Sequence, residues 1–346
     1  MERSDDVGVA MIGAGGWGTA MVSQLAQKYA DVILYSRNKK VLSDIAEIHE
    51  NPDYLRGVHI PEHVRLTSDL EEAACADTVI LATPSLAISE TAEAIAPFLK
   101  QGALVISTAK GLSREGERLS TVIAEKVASK TARIAVLSGP NHAEEVGKGQ
   151  PAASVVAAAT REVALAAQDV YMLPHFRVYF STDLAGVEYG GALKNIIALA
   201  AGVTDGLQYG DNTRSALITR GLTEVVRFAK HYGAHSSTLF GLSGMGDLIV
   251  TCTSVHSRNH AAGYAIGQGK PLDEVLGSTN KVVEGVRTTR IVYPLAKRFG
   301  IEMPITEQVY QVLEGKTNPK DALRVLMNRE KKEEVQEPVF EGVFSR

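Results

Sequence analysis

The sequence predicts an α/β protein, a doubly wound parallel sheet followed by an all-α C-terminal domain. Three observations predict it. From Val7 onward, short β-branched runs alternate with helical stretches, the pattern of a parallel sheet with crossover helices. A glycine-rich hexapeptide stands between the first of these runs and the first helix. After Thr182 the β signal stops, and every later segment reads as a helix bounded by caps.

The predicted strands are Val7 to Ile12, Val32 to Tyr35, Thr78 to Ala82, Leu104 to Ser107, Ile134 to Leu137, Ser154 to Val156 and Val178 to Phe180. Each is a continuous apolar run, as strands buried on both faces are. Beyond them, Asp183 caps a helix that ends at Gly202, and Thr213 begins one that stops at Gly233. Ser257 opens another, ending at Gly267, and later helices start at Glu284 and Thr306. Pro319 stands at the start of a last one, where its missing N–H costs nothing. The domain boundary falls at Ser181 to Asp183, giving a sheet domain over 1–182 and a helical domain over 183–330. The tail, 331–346, mixes charges with Phe340 and Phe344 and is expected to be poorly ordered.

With 346 residues and 45 % hydrophobic content, the chain can build a core in each of two domains. Lys and Arg number 36 against 40 Asp and Glu, so bulk charge does not point to nucleic acid. Two cysteines, Cys75 and Cys252, cannot make a disulfide framework or a four-ligand zinc site, and both read as small core residues. The stretch Met1 to Asp6 lacks the basic and apolar regions of a secretory signal, and there is no uninterrupted apolar run of about 20 residues. A cytoplasmic protein with no membrane partner is expected.

Gly13-Ala14-Gly15-Gly16-Trp17-Gly18 satisfies G-x-G-x-x-G directly after an apolar strand and before an apolar helix, Thr19 to Tyr29. In that setting the glycines allow a tight turn and close approach of a pyrophosphate, whose charge sits on the helix N-terminus. This is a Rossmann-type dinucleotide site. Trp17, the only tryptophan, either covers the loop's own helix or touches the cofactor. At the end of the second strand, where an NAD enzyme places Asp or Glu, the chain has Ser36-Arg37, nineteen residues past Gly18. Arg37 suits a ribose 2′-phosphate or is a solvated surface arginine; Lys39 and Lys40 follow and add weaker attraction. NADP(H) is therefore expected to be preferred, with NAD(H) usable. Gly315-Lys316-Thr317 is not a Walker loop, because no glycine stands five residues upstream.

Removing hydride from a secondary alcohol carbon requires a base for the hydroxyl proton, and the reverse reaction an acid at the carbonyl. A lysine serves if desolvation or a neighbouring cation brings its pKa from about 10.4 towards about 7–8. Lys110 follows the central strand in Ser107-Thr108-Ala109-Lys110-Gly111, where open α/β sheets place ligands. Lys194 lies within Gly190-Gly191-Ala192-Leu193-Lys194-Asn195, inside an otherwise apolar helix. Gly186, Gly190 and Gly191 each cost that helix up to about 1 kcal/mol, so something must approach it closely: a nicotinamide ring or the first domain's strand ends. Asp247 closes the glycine-rich loop Gly241 to Gly246 and either orients Lys194, accepts a substrate hydroxyl or simply forms a turn. Ser257-Arg258-Asn259 opens a helix, a suitable place for a phosphate. His256 and His260 have no third ligand at metal-binding spacing, so no metal is expected.

Together, GAGGWGTA, STAKGL, SGPNHAEE, GVEYGGALKNIIALAAGVTDGL, DNTRSALITRGL, GMGDLIVTCTSVHSRN, VVEGVRTT and EMPITEQVYQVLEG resemble bacterial-type NAD(P)-dependent glycerol-3-phosphate dehydrogenases. The similarity runs from Val7 to about Arg329. The resemblance implies interconversion of sn-glycerol 3-phosphate and dihydroxyacetone phosphate, supply of the former to phospholipid synthesis, and a homodimer. It implies that Lys194 is the proton acceptor, with Lys110, Asn195 and Asp247 around the substrate's oxygens. It also gives Gly139, Asn141, Ser257, Arg258 and Asn259 to the substrate. Gly13, Gly15, Gly16, Trp17, Gly18, Arg37, Lys110, Ala143, Arg258, Val282 and Glu284 go to the cofactor. Asn141-His142 departs from the family's usual Ser or Thr followed by Phe. The competing readings are a related two-domain reductase of β-hydroxy acids or ketopantoate, and a non-catalytic nucleotide sensor. The sensor reading predicts loss of Lys194, Asp247 or Arg258, and all three are present.

Overall fold

Aliphatic runs buried on both faces must pair their backbones with strands on either side, and in the computed structural model they do so in one sheet. The described residues are 8–277, 282–331 and 333–334. Val7 and most of the tail, including Phe340 and Phe344, lie outside them. The chain divides into two units, Met1–Leu184 and Ala185–Arg346.

In the first unit, β1 (Val9–Ile12), β2 (Val32–Tyr35), β3 (Arg65–Thr67), β4 (Thr78–Leu81), β5 (Leu104–Ser107), β6 (Ile134–Ser138), β7 (Ala152–Ala158) and β8 (Phe176–Ser181) form an eight-stranded sheet. Its order is β3-β2-β1-β4-β5-β6-β7-β8. Val9 of β1 pairs with Val32 on one side and Thr78 on the other, so the order reverses direction at β1. The crevice at the carboxyl end of β1 is where such sheets bind ligands.

The helices of this unit are α1 (Gly16–Leu25), α2 (Lys39–Ile48), α3 (Leu70–Ala74), α4 (Ile88–Ile95), α5 (Leu119–Val127), α6 (Ala143–Val146) and α7 (Arg161–Tyr171). Successive strand residues point to opposite faces. Val9 and Met11 join Met21, Leu25 and Tyr171 in one core, while Ala10 and Ile12 join Ala73, Ile88 and Ile123 in the other. Each such aliphatic side chain contributes about 1.5–3 kcal/mol on burial.

Four sequence expectations for this unit need correction. β3 went unpredicted because it is a three-residue edge strand with only Thr67 buried. The sheet is not wholly parallel: β7 runs antiparallel to β6. Between them lies a single helix of four residues, α6, too short to carry the chain back along the sheet as a crossover does. The first helix begins at Gly16 rather than Thr19 and ends at Leu25, because the loop's last glycines already form its first turn. Cys75 is exposed at the end of α3, not a core residue, whereas Cys252 is buried.

The second unit contains α8 (Leu184–Gly206), α9 (Asp211–His231), α10 (Ser236–Leu239), α11 (Asp247–Thr253), α12 (Arg258–Gly267), α13 (Leu272–Gly277), α14 (Glu284–Phe299), α15 (Pro304–Leu313) and α16 (Pro319–Met327). Among the described residues no single helix is long and apolar enough to cross a membrane. α8 is apolar around most of its circumference and forms the buried centre of the unit. Gly202 does not end it: a Cβ there would lie 2.0 Å from the His260 carbonyl oxygen, so the residue is a packing position and the helix continues to Gly206. Gly263 and Gly267 of α12 meet the Leu199 and Val203 carbonyls of α8 in the same way, at 2.0 and 2.4 Å. α9 starts two residues before Thr213 and ends two before Gly233, and α15 starts at Pro304 rather than Thr306.

Glu224 of α9 is 2 % exposed and caps the start of α15. Its carboxylate accepts from the Ile305 N–H (2.5 Å), the Thr306 N–H (3.0 Å) and the Thr306 hydroxyl (2.9 Å). Desolvation outweighs these bonds and pushes its carboxyl up to about 7 from an ordinary 4.5. A folded-state value above the unfolded one means the folded chain holds the proton more tightly, so this contribution is full below pH 4.5 and is lost as pH rises through 7. Glu224→Ala is expected to lower unfolding stability by about 2 kcal/mol or more, since two buried N–H groups lose their acceptor. In urea titrations from pH 5 to 8, Glu224→Gln is expected to flatten the decline seen in the wild type. An unchanged pH slope in Glu224→Gln contradicts the assignment.

Candidate active site

In the first unit the chain leaves β1 through Gly13, whose φ of +122° and 2.8 Å approach to the Ala82 carbonyl exclude a side chain. Gly18, in the first turn of α1, would place a Cβ 1.9 Å from the Gly13 carbonyl oxygen, so the helix packs directly on the strand end. Gly15 is the extended N-cap of α1, with nothing within 4 Å of the position a Cβ would take. Gly16 faces Tyr54 and Ala143, which places Ala143, at the start of α6, beside the loop. The first N–H groups of a helix have no intrahelical acceptor. A glycine turn open to solvent at such an end fits an anionic pyrophosphate.

Among the described residues, Thr83 Oγ1, just past β4 and next to Gly13, and Trp17 Nε1 are buried donors here without a protein partner. Orphaned buried donors at a glycine turn are what a dinucleotide site would leave for its ligand. The Trp17 ring packs against the unit's core, with its centroid 6.3 Å from that of Phe176 in β8. Arg37 is exposed just past the carboxyl end of β2. Lys40 is engaged elsewhere: its ammonium meets Asp44 at 2.5 Å and Asp53 at 3.7 Å. It therefore offers less to a phosphate than the sequence suggested.

At the ends of β5 and β6 the fold gathers three of the predicted residues. Lys110 Nζ donates to the Gly139 carbonyl and to Asn141 Oδ1, both at 2.7 Å. Asn141 is buried and donates in turn to Ser154 Oγ of β7, at 2.9 Å. Gly139 has φ +136°, and a Cβ there would strike the Ser154 backbone at 2.9 Å. The unusual Asn141 thus holds Lys110 in place, and Ser154 is a supporting residue that the sequence did not single out.

In the second unit Lys194 is 5 % exposed. Its ammonium donates to Asp247 Oδ1 at 2.5 Å and to Thr251 Oγ1 at 2.7 Å. Thr251 passes its own proton to the Asp247 carbonyl, at 2.6 Å. Asp247 is not in a loop: Leu242–Gly246 forms one π-helical turn, and Asp247 begins α11. That turn is what approaches α8 at Gly190, with the Ser243 carbonyl 2.8 Å from where a Gly190 Cβ would lie. The backbone contact at Gly190, one helical turn before Lys194, brings the start of α11 across from the lysine. Thr251 lies four residues past Asp247 on one helix face, a spacing that would have exposed it had the segment been read as helix. Burial pushes the neighbouring Cys252 thiol up to about 12, leaving it no nucleophilic role.

The remaining predicted residues of this unit fall into three groups. Asn259 Nδ2 donates to Asn195 Oδ1 and its Oδ1 accepts from the Gly285 N–H, both at 2.8 Å, tying α8, α12 and α14 together. Ser257 caps α12, accepting from the His260 N–H, and Arg258 stands exposed in the first turn, its guanidinium 3.4 Å from the Val282 carbonyl. Glu284, opening α14, faces Arg287 at 3.7 Å. His260 is bonded to Asp205 at 2.8 Å, and among the described residues no cluster of potential metal ligands occurs.

Comparison with known proteins agrees with this chemistry. The NAD-dependent glycerol-3-phosphate dehydrogenase N-terminus family matches residues 8–164, and the corresponding C-terminus family matches 183–324. Glycerol-3-phosphate dehydrogenase (NAD(P)+) of Desulfitobacterium hafniense (strain Y51) is 48 % identical over 95 % of this chain and 93 % of its own length. The protein of that name from Moorella thermoacetica is 50 % identical, over 95 % and 98 %. The crystal structure of glycerol-3-phosphate dehydrogenase from Coxiella burnetii covers 93 % of this chain and 99 % of its own, with a TM-score of 0.88 and 34 % identity. A ketopantoate reductase from Ralstonia eutropha shares the fold alone, with a TM-score of 0.60 and 17 % identity over 91 % of this chain and 99 % of its own. With both halves of its length matched in sequence order, the chain belongs to the NAD-dependent glycerol-3-phosphate dehydrogenase family.

Proposed function

We propose that the chain is an sn-glycerol-3-phosphate:NAD(P)+ 2-oxidoreductase that interconverts sn-glycerol 3-phosphate and dihydroxyacetone phosphate. The observation that carries this reading is a buried ammonium, Lys194, aimed by Asp247 and Thr251 at the centre of the helical unit. A charge is held there at a desolvation cost that only paired, oriented chemistry justifies. When bound, the nicotinamide supplies or accepts the hydride at C2.

The chain's own residues supply the rest. In reduction, Lys194 Nζ gives a proton to the carbonyl oxygen as the C2–H bond forms and is left as the amine. In oxidation, the amine takes the hydroxyl proton as hydride leaves C2. Asp247 balances the ammonium and Thr251 fixes the direction of its N–H bonds. Asn195 offers its amide to the substrate's oxygens, and Asn259 keeps that amide in place. Arg258 and the free N–H groups of the first turn of α12 bind the phosphate, Ser257 having closed the end of the helix. In the first unit, Lys110 reads substrate oxygens while Gly139 and Asn141 hold its ammonium. For the cofactor, the glycines Gly13, Gly15, Gly16 and Gly18 take the pyrophosphate, and Arg37 takes the 2′-phosphate of NADPH. The family resemblance gives Val282, beside Arg258, and Glu284, at the start of α14, to the cofactor as well. The family resemblance further supports a cytoplasmic homodimer feeding phospholipid synthesis.

Purified protein is expected to oxidise NADPH or NADH only when dihydroxyacetone phosphate is added. Folded protein that turns over neither cofactor contradicts the assignment. Arg258→Ala is expected to raise KM for dihydroxyacetone phosphate about 10- to 150-fold, the equivalent of one charge-assisted contact, with a much smaller effect on any turnover of unphosphorylated dihydroxyacetone. Equal losses on both substrates show that Arg258 does not read the phosphate.

NADPH is expected to be preferred over NADH, and Arg37→Ala to lower kcat/KM for NADPH by about 10- to 150-fold while sparing NADH. Equal losses with the two cofactors mean that Arg37 stacks on the adenine instead. A wild type that prefers NADH overturns the preference itself.

A further inference from the structure

The chain between α2 and β3 folds back onto the glycine turn through one fully buried polar side chain. Asn51 is 0 % exposed. Its Nδ2 donates to the Ala14 carbonyl at 2.9 Å and to Thr19 Oγ1 at 2.8 Å. The first bond grips the middle of the glycine turn; the second grips the first turn of α1. Asn51 is itself held through its backbone: its main-chain carbonyl accepts from the N–H groups of Tyr54 (3.3 Å) and Leu55 (2.8 Å), and the Ile60 N–H closes the segment on the His49 carbonyl at 2.7 Å. Leu55 and Val58 pack on Ala20 of α1, with Ala143 against the same cluster, and the Tyr54 carbonyl comes within 3.2 Å of the Gly16 Cβ position. The segment from His49 to Ile60 is thus clamped along the glycine turn.

A planar trans peptide points its C=O and N–H in opposite directions. With the Ala14 carbonyl turned inward to Asn51, the N–H of the same peptide, that of Gly15, is turned the opposite way. A glycine-dense turn has little side-chain packing of its own to hold that orientation, and glycine gives up the most conformational freedom when fixed. We propose that Asn51 is a positioning residue for the cofactor: by anchoring Ala14 and Thr19 it pre-aims the backbone N–H groups that receive the dinucleotide pyrophosphate. The inference rests on the reading of this turn as the cofactor site. The pyrophosphate is common to NADH and NADPH, so the effect is the same for both, unlike that of Arg37.

The test is direct titration of NADH and NADPH into the full-length protein, read by energy transfer from Trp17, the only tryptophan, and paired with steady-state kinetics. Asn51→Ala is expected to weaken both cofactors by about tenfold, as loss of two neutral hydrogen bonds to the turn implies. KM for dihydroxyacetone phosphate at saturating cofactor and kcat per folded molecule are expected to stay within about twofold. Asn51→Asp, which sets a carboxylate oxygen against the Ala14 carbonyl, is expected to weaken both cofactors further. Thr19→Val removes one of the two acceptors and is expected to weaken both by less than Asn51→Ala, with Thr19→Ser restoring affinity. That pair decides the matter if the Asn51 variants do not fold. Unchanged cofactor affinity in folded Asn51→Ala, or in Thr19→Val where that pair is the arbiter, overturns the proposal, as does an equal rise in KM for substrate and cofactor. Failure of the wild type to bind either cofactor removes the functional reading and this inference with it.

Discussion

The ion pair between Lys194 and Asp247 is the constraint from which the second unit's architecture follows. An ammonium 5 % exposed in an apolar helix is tolerable only if it is paired and its N–H bonds are satisfied. Asp247 does the first and, with Thr251, the second. To present a carboxylate at 2.5 Å, the start of α11 must come almost into backbone contact with α8. Gly190 permits that approach by having no Cβ, and the π turn at Leu242–Gly246 sets its angle. The same device recurs further along α8, where Gly202 and Gly206 lie against the backbone of α12 and Gly263 and Gly267 of α12 lie against that of α8, packing closely the helix that begins at Arg258. Glycines that weaken α8 as an isolated helix are what let it be surrounded.

The first unit solves a different problem by related means. An anion cannot be held by a helix end unless the backbone N–H groups there are both unpaired and fixed in direction. The glycines of the turn provide access, Gly18 locks α1 against β1, and Asn51 with its segment holds the turn from behind. Lys110 is likewise held by neighbours, Gly139 and Asn141, rather than by its own flexible stem. In both units the lysines are held by buried polar contacts rather than left to their own flexible stems.

Much of this was legible in the sequence because burial on both sides writes itself as unbroken apolar runs; the central strands were read within a few residues of their bounds. β3 carried no such signal, since an edge strand with one buried residue need not be apolar. The direction of β7 was hidden as well, being set by the length of the α6 connection rather than by any property of the strand. Of the chemical groups, Lys194 stood out because a charge interrupts an apolar helix. Asp247 was found but misplaced in a loop, because a segment as rich in glycine as Gly241 to Gly246 reads as a turn until its packing partner is known. The glycines of α8 correctly announced a close neighbour, yet no sequence pattern said that at Gly190 it would be a π turn of the same unit. Asn51 and Ser154 were out of reach, since what distinguishes them is a partner met only in the fold, the Ala14 carbonyl for one and the Asn141 side chain for the other.

Whether Lys194 itself carries the proton is decided by chemical rescue. In Lys194→Ala the cavity left beside Asp247 and Thr251 is open to a small primary amine. If Lys194 carries the proton, kcat falls by about 10²–10⁴-fold, the usual worth of a general acid–base group, cofactor affinity holds, and added methylamine restores a saturable part of the rate. A fall of less than tenfold, with no response to amine, would show that the proton travels through another group.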